Sequence, residues 1–171
     1  NYIRFWQADG ESEKTSIRTK TRLGQIVLNG WFRGGVAPYG YRVEKRGRLN
    51  VRGEEVNDIF IDEEEAVIVR HIFELSAIRG YGGRKIASTL REEGYYNRDG
   101  KPFHPATIQN MLKNIMYMGI LRSGESRSEI FPDLQIIPPE LFELAQQQIA
   151  SHRSDYEASR LSPMKAEGHA L

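Results

Sequence analysis

The apolar positions of this 171-residue chain change period several times, and each change marks an element. From Glu11 to Asn29 there is no proline and one glycine, Gly24, among good helix formers, which predicts a helix. Gly30 is placed to end it, since glycine readily takes the left-handed conformation past a helix C-terminus. From Trp31 to Arg42 glycine, proline, aromatics and arginine follow neither a helical nor a strand period, which predicts an extended linker in which Pro38 keeps Ala37 extended. Tyr41 to Val43 and Ile59 to Ile61 read as short strands around a polar stretch containing Gly47 and Gly53. Asp62 then offers an N-cap, with Glu63 to Glu65 in the first turn and Glu65 at capping-box spacing. Ala66, Val69, Phe73 and Ala77 recur at three- and four-residue steps, so a helix over 63–79 is expected to end at Gly80.

Past the break at Gly82 and Gly83, Arg84 to Glu93 predicts a second helix with Ile86, Ala87 and Leu90 on one side, closed by Gly94. Asn97, Asp99, Gly100 and Pro102 signal a turn between Tyr95 and Phe103, which a small hairpin would satisfy. Pro105 suits a first helical turn, and Ile108, Leu112 and Ile115 at i, i+4 and i+7 predict a third helix over 105–115. Tyr117 to Leu121 and Leu134 to Ile137 are candidate strands, Pro139 opens a last helix reaching about Arg153, and 154–171 reads as a mobile tail. The expected class is α+β, mainly α: a helical domain with a helix-turn-helix-like core and short β-strands, preceded by a long helix. The order of helix 84–93, turn, helix 105–115 and strand is compatible with a helix-turn-helix relative, whose second helix enters a major groove. Packing alone gives the same order in many small helical domains.

Composition narrows the chemistry. Without a cysteine there is no disulfide, thiolate zinc site or cysteine nucleophile, and His71, His104, His152 and His169 lack ligand spacing, so no metal and no cofactor is expected. No run approaches the roughly 18 apolar residues of a membrane span, and the start lacks the order of a secretion signal, so a soluble, intracellular chain is expected. The net charge of +1 hides blocks of opposite sign. Residues 1–50 hold ten Lys/Arg against four Asp/Glu and 83–122 hold seven against three, while 51–82 and 123–171 are acidic. A polyanion would meet two positive segments, and ordinary solvated surface would look the same.

Particular strings go further. Pro38-Tyr39-Gly40-Tyr41, Ile72-Phe73-Glu74-Leu75, Ile86-Ala87 with Leu90, and Ile108 to Asn114 followed by Tyr117-Met118-Gly119 resemble, in this order, the recombinase domain of large serine recombinases (LSRs). Glu13 to Gly30 resembles the family's helix connecting a catalytic domain to that DNA-binding domain, and Asn1 to Gly10 has no counterpart in the resemblance. The resemblance implies a connecting helix over 1–30, a linker over 31–42, a recombinase domain over 43–153 and a tail over 154–171. It implies sequence-specific binding of double-stranded DNA at attachment sites, within a protein that recombines DNA through a serine nucleophile. A bacterial or phage-encoded cytoplasmic protein that self-associates at full length is implied as well. The family's nucleophile precedes the connecting helix and its cysteine-paired zinc ribbon follows the recombinase domain, so this stretch is expected to be inactive alone.

The candidate DNA contacts follow from charge and placement. Lys14, Arg18 and Arg22 fall in one row on the first helix, and Arg33 sits beside Gly34 and Gly35 like an arm that enters a minor groove. The row could equally be a solvated face, and the linker a plain hinge with Trp31, Phe32, Tyr39 and Tyr41 packed on the domain. Arg42 continues the basic stretch. On the third helix Gln109 and Asn110 could pair with adenine, Thr107 could meet a thymine methyl or phosphate, and Lys113 suits phosphate. Asn114 could cap that helix's end. Arg84, Lys85, Arg98 and Lys101 would flank it and hold its register. His104 stands where the family usually has a small hydroxyl cap, and either approaches DNA or caps weakly. Two rivals remain: a stand-alone winged-helix regulator, which needs no basic helix and linker, and a protein-interaction module working through the acidic segments.

Overall fold

The computed structural model describes the backbone of residues 2–161 and the side chains of 13–154 and 156. The chain divides into two units, Asn1–His71 with Lys113–Pro139, and Ile72–Leu112 with Glu140–Leu171.

In the first unit, α1 runs from Tyr2 to Leu28, so the helix begins well before the expected Glu11. Its last turns dock on a hairpin of β3 (Met118–Ser123) and β4 (Ser126–Gln135), paired antiparallel from Met118 opposite Gln135 to Ser123 opposite Ser126. Gly24, costly in a helix interior, is explained there: a Cβ would stand 2.7 Å from the Ser126 hydroxyl oxygen. Gly30 ends the helix as expected, at φ 76, with the Trp31 N–H donating to the Ile26 carbonyl at 3.0 Å.

β1 (Tyr41–Leu49) and β2 (Glu55–Ile61) form a second antiparallel hairpin, from Tyr41 opposite Ile61 to Lys45 opposite Asn57. Both strands outrun the short expected ones, because the backbone ladder continues through exposed polar residues. The register shifts between Lys45 and Leu49, where Gly47 donates its N–H to a Glu55 carboxylate oxygen at 2.8 Å. Asn50 closes the turn by accepting from the backbone N–H groups of Arg52 and Glu54.

α2 (Glu63–Ala77) starts at the expected cap and buries Ala66, Val69, Phe73 and Ala77. The capping box is half formed. The Glu65 N–H donates to Asp62 Oδ1 at 3.3 Å, but the Glu65 carboxylate accepts from the Gly40 N–H at 2.7 Å, and the Asp62 N–H donates to the Gly40 carbonyl at 3.0 Å. The helix start is thereby tied to the Pro38-Tyr39-Gly40-Tyr41 string. Tyr41 is fully buried and stacks on Tyr117 at 5.8 Å. Its hydroxyl lies 2.6 Å from the Met116 carbonyl and 2.8 Å from the Leu134 carbonyl, while the Tyr117 hydroxyl donates to the Tyr39 carbonyl at 2.9 Å. Burial, with Tyr117 adding to it, pushes the Tyr41 hydroxyl far above its ordinary pKa. Gly119, at φ 81, lies so close to the Phe131 carbonyl oxygen that a Cβ would collide with it.

The second unit holds the end of α2, α3 (Gly83–Glu92), α4 (Pro105–Leu112) and all but the first residue of α5 (Pro139–Leu161). Phe73 and Phe142 stack at 5.9 Å in its core, beside buried Ile86, Leu90, Ile108 and Leu112. α4 is shorter than the expected 105–115: Gln146 donates to the Leu112 carbonyl at 2.5 Å, and Asn114, instead of capping α4, caps a 3-10 turn over Ile115–Tyr117 by accepting from the Met116 N–H. Met111 takes the buried place expected of Ile115. Between Tyr95 and Phe103 there is no strand but a turn around Asn97, whose side chain accepts from Asp99 and Lys101. α5 continues beyond the expected Arg153 to Leu161, and the rest of the expected tail, 162–171, lies outside the described residues. The α+β, mainly α expectation holds. No described helix is long and apolar enough to cross a membrane.

Candidate nucleic-acid interface

In the first unit the expected row is present: Lys14, Arg18 and Arg22 are exposed at four-residue steps along α1. The neighbouring Thr19 and Thr21 hydroxyls donate back to the Thr15 and Ile17 carbonyls at 2.9 and 3.0 Å, so they are spent on the helix's own backbone.

The linker splits into two parts. Trp31 to Val36 lies at the surface, with Gly34 and Gly35 at φ 92 and 96 and open space within 4 Å of either missing Cβ. From Ala37 onward the chain sinks into the core at Gly40 and Tyr41. The packing of the four aromatics expected of a plain hinge holds for Tyr41, which is buried, and not for Trp31, which remains 45% exposed. Arg33 is exposed and lines two clefts. One, of about 460 Å³, is shared with Trp31, Lys113, Asn114 and Arg122. The other, of about 790 Å³, is shared with Arg22, Ile26, Trp31, Arg48 and Val51. Arg48 lies 4.9 Å from the centre of the Trp31 ring and is bonded to Asp58 at 2.6 Å, so an internal ion pair sets the platform under Trp31.

Arg42 differs from the other expected contacts. It donates to Glu44 at 2.7 Å and to the Ile61 carbonyl at 3.1 Å, and Glu44 also holds Arg46 at 3.2 Å. The hydrogen bond to Glu44, then its charge, raises the Arg42 pKa, and Arg42 followed by Arg46 lowers that of Glu44. Its guanidinium is already engaged.

In the second unit α3 and α4 meet at Gly83, where a Cβ would stand 3.0 Å from both the Pro105 carbonyl and Gln109 Cγ. That close approach sets the start of α3, where Arg84 and Lys85 are exposed, against Gln109 of α4, on which Thr107 and Asn110 are exposed as well. Lys85 lies 5.7 Å from the centre of the Tyr81 ring. His104 caps α4: its Nδ1 accepts from the Ala106 N–H at 3.2 Å while the ring is exposed. Arg98 and Lys101 are exposed around the Asn97 turn. Lys113 falls beyond the end of α4 and belongs with the first unit's cleft.

One residue of that first-unit surface was not foreseen, Arg122. It is the one cation of β3, and only the folded hairpin brings it to Arg33 and Trp31, whereas Arg48 belongs to the basic run of β1 with Arg42, Lys45 and Arg46. Among the described residues no three His, Asp or Glu side chains gather as a metal site requires.

Comparison with known proteins adds to this geometry. No curated protein matches the chain in sequence. Among solved structures, the crystal structure of an LSR–DNA complex matches 80% of this chain with a TM-score of 0.56 and 17% identity. A structure on the sequence requirements of the Listeria innocua prophage attP site matches 78% with a TM-score of 0.53 and 19% identity. The chain spans 38% and 50% of the lengths of those two proteins, and at such identities the likeness is one of fold. The family signature described as Recombinase matches residues 63–152, from the start of α2 into α5. That match covers just over half of the sequence, and the chain belongs to the Recombinase family.

Proposed function

We propose that this chain is the DNA-recognition part of a site-specific serine recombinase, binding double-stranded DNA at an attachment site. The observation that carries the reading is the α3–α4 pair. It buries Ile108, Met111 and Leu112 while leaving Thr107, Gln109 and Asn110 in solvent beside Arg84 and Lys85, within the stretch that matches the family. One face of α4 is thus used for the core and the other is free for base edges, as a helix-turn-helix reader requires. The fold shared with an LSR–DNA complex supports the same reading. Residues 1–30 act as the connecting helix, with Lys14, Arg18 and Arg22 on phosphates, and Arg33 enters a minor groove from the linker. Arg98, Lys101 and Lys113 make sequence-independent contacts, and His104 serves α4 as its cap. In the whole protein these contacts position DNA for serine-mediated strand exchange within a self-associated complex, in the cytoplasm of a bacterial cell.

Titration of an attachment-site half duplex and a scrambled duplex against salt tests this. Several phosphate contacts give a steep loss of affinity with rising salt, and absence of binding at about 50 mM salt overturns the reading. Gln109→Ala and Asn110→Ala should each narrow the gap between the two duplexes by about 1–3 kcal/mol; a uniform loss on both means that they do not read bases. A stand-alone regulator reading through α4 would bind equally well after Arg18→Gln and Arg22→Gln, whereas the proposed connecting helix loses affinity.

A further inference from the structure

Resting on the DNA-binding reading, we infer that the 460 Å³ cleft beside the linker is a seat for a backbone phosphate, with Arg122 of β3 as a ligand that the family motifs do not point to. Three cations, Arg33, Lys113 and Arg122, line this cleft, and no acidic side chain does. None of the three forms an ion pair among the described residues, although Arg42, Arg46, Arg48 and Arg70 all do. Cations left uncompensated around one concavity concentrate positive potential there, because the low-dielectric wall focuses their field. The cations that would be quenched by an acid lie elsewhere; those around the cleft are kept open.

Local geometry prepares the donors. The Arg122 Nε–H donates to the Gly124 carbonyl at 3.0 Å across the β3–β4 turn, which holds the guanidinium stem and leaves its terminal nitrogens for a ligand. Asn114 spends its carbonyl oxygen on the Met116 N–H at 3.1 Å, so its amide NH₂ remains as a neutral donor in the same wall. Gly34, with no side chain and open space around it, allows a backbone to approach closely. Trp31, Val36 and Ile120 supply an apolar wall on which a deoxyribose can rest. Lys113 and Arg122 as charged donors, the Asn114 amide as a neutral one and an apolar wall match one phosphodiester with its sugar, while Arg33 at the same cleft reaches on toward the minor groove. Nothing in the set reads a base edge, so the seat positions DNA without selecting its sequence.

The test is the salt dependence of half-site binding by the full chain carrying Arg122→Gln, with Arg127→Gln as the control. Arg127 lies opposite Arg122 in the hairpin and is exposed, but does not line the cleft, so it removes the same charge from the same element. Arg122→Gln should flatten the slope of log affinity against log salt by about 0.9, the share of one phosphate, and lower affinity equally on specific and scrambled duplexes. Arg122→Lys should restore the slope, and thermal unfolding of all three variants should match the parent. If Arg122→Gln keeps the parent slope, or Arg127→Gln flattens it as much, the cleft is not a phosphate seat although the chain still binds DNA. Failure of the parent chain to bind either duplex removes the DNA reading, and the seat with it.

Discussion

Residues 31–36 and 37–42 have the same texture in sequence, glycine and aromatics with an arginine, and opposite fates in the structure. In the first stretch Gly34 and Gly35 stand in open space and Val36 is 91% exposed. In the second, Gly40 is wedged so that a Cβ would lie 2.9 Å from Val69 Cγ2 and 3.0 Å from Ile136 Cδ1, and Tyr41 is wholly buried. The glycines therefore answer different demands: Gly40 lacks both room and an ordinary φ, whereas at Gly34 and Gly35 only the left-handed φ calls for glycine. One half of the segment belongs to the core, and the other lies at the surface.

The contrast breaks most directly at Gly40. Gly40→Ala combines left-handed strain at φ 94 with a collision against two core side chains, and should cost about 2–5 kcal/mol in urea unfolding. Tyr41→Phe comes next. It leaves the Met116 and Leu134 carbonyls short of a buried donor, at about 1–3 kcal/mol. The Tyr41 hydroxyl is held protonated in the fold and ionises near pH 10 once unfolded, so the parent keeps this contribution below about pH 10 and loses it as the pH rises further. Tyr41→Phe should accordingly lose less stability than the parent between pH 9 and 11 in the same measurement. Gly34→Ala should change stability by less than about 1 kcal/mol, since an open segment can relax its φ and the unfolded chain loses freedom. A cost at Gly34 equal to that at Gly40 would erase the distinction between the two stretches.

The sequence is most legible where cause is local. α2 could be read from Asp62, the three glutamates and its apolar stripe, because cap and stripe lie within the helix they make. The end of α4 could not: Ile115 fits the stripe, and what stops the helix is Gln146 on α5 and the cap that Asn114 gives the next turn. Gly24 likewise has its reason in Ser126, about a hundred residues away in sequence, which leaves no room for a Cβ on α1. The candidate interface divides in the same way. Exposed cations on a helix face follow from periodicity, so Lys14, Arg18 and Arg22 could be named in advance. Which arginines are engaged depends on how side chains turn along and across a hairpin, and so Arg42 was expected at DNA although Glu44 holds it, while Arg122 was not singled out.

Arginine pairing also supplies the smallest and most discriminating effect. Arg33 and Arg42 flank the buried Gly40–Tyr41 step, and each loses one positive charge on substitution by glutamine. Arg33 has no ion-pair partner among the described residues, so Arg33→Gln should flatten the salt slope of half-site binding by about 0.9. Arg42 would have to leave Glu44 and the Ile61 carbonyl before it could meet a phosphate, which offsets much of what the contact gains. Arg42→Gln should therefore change the slope by clearly less. The double variant Arg42→Gln with Glu44→Gln removes that competition together with the charge, and should bind like Arg42→Gln, or slightly tighter because a carboxylate near DNA is gone. Equal flattening by Arg33→Gln and Arg42→Gln would mean that Glu44 yields Arg42 to DNA at little cost, and that the working surface of the linker extends through Arg42.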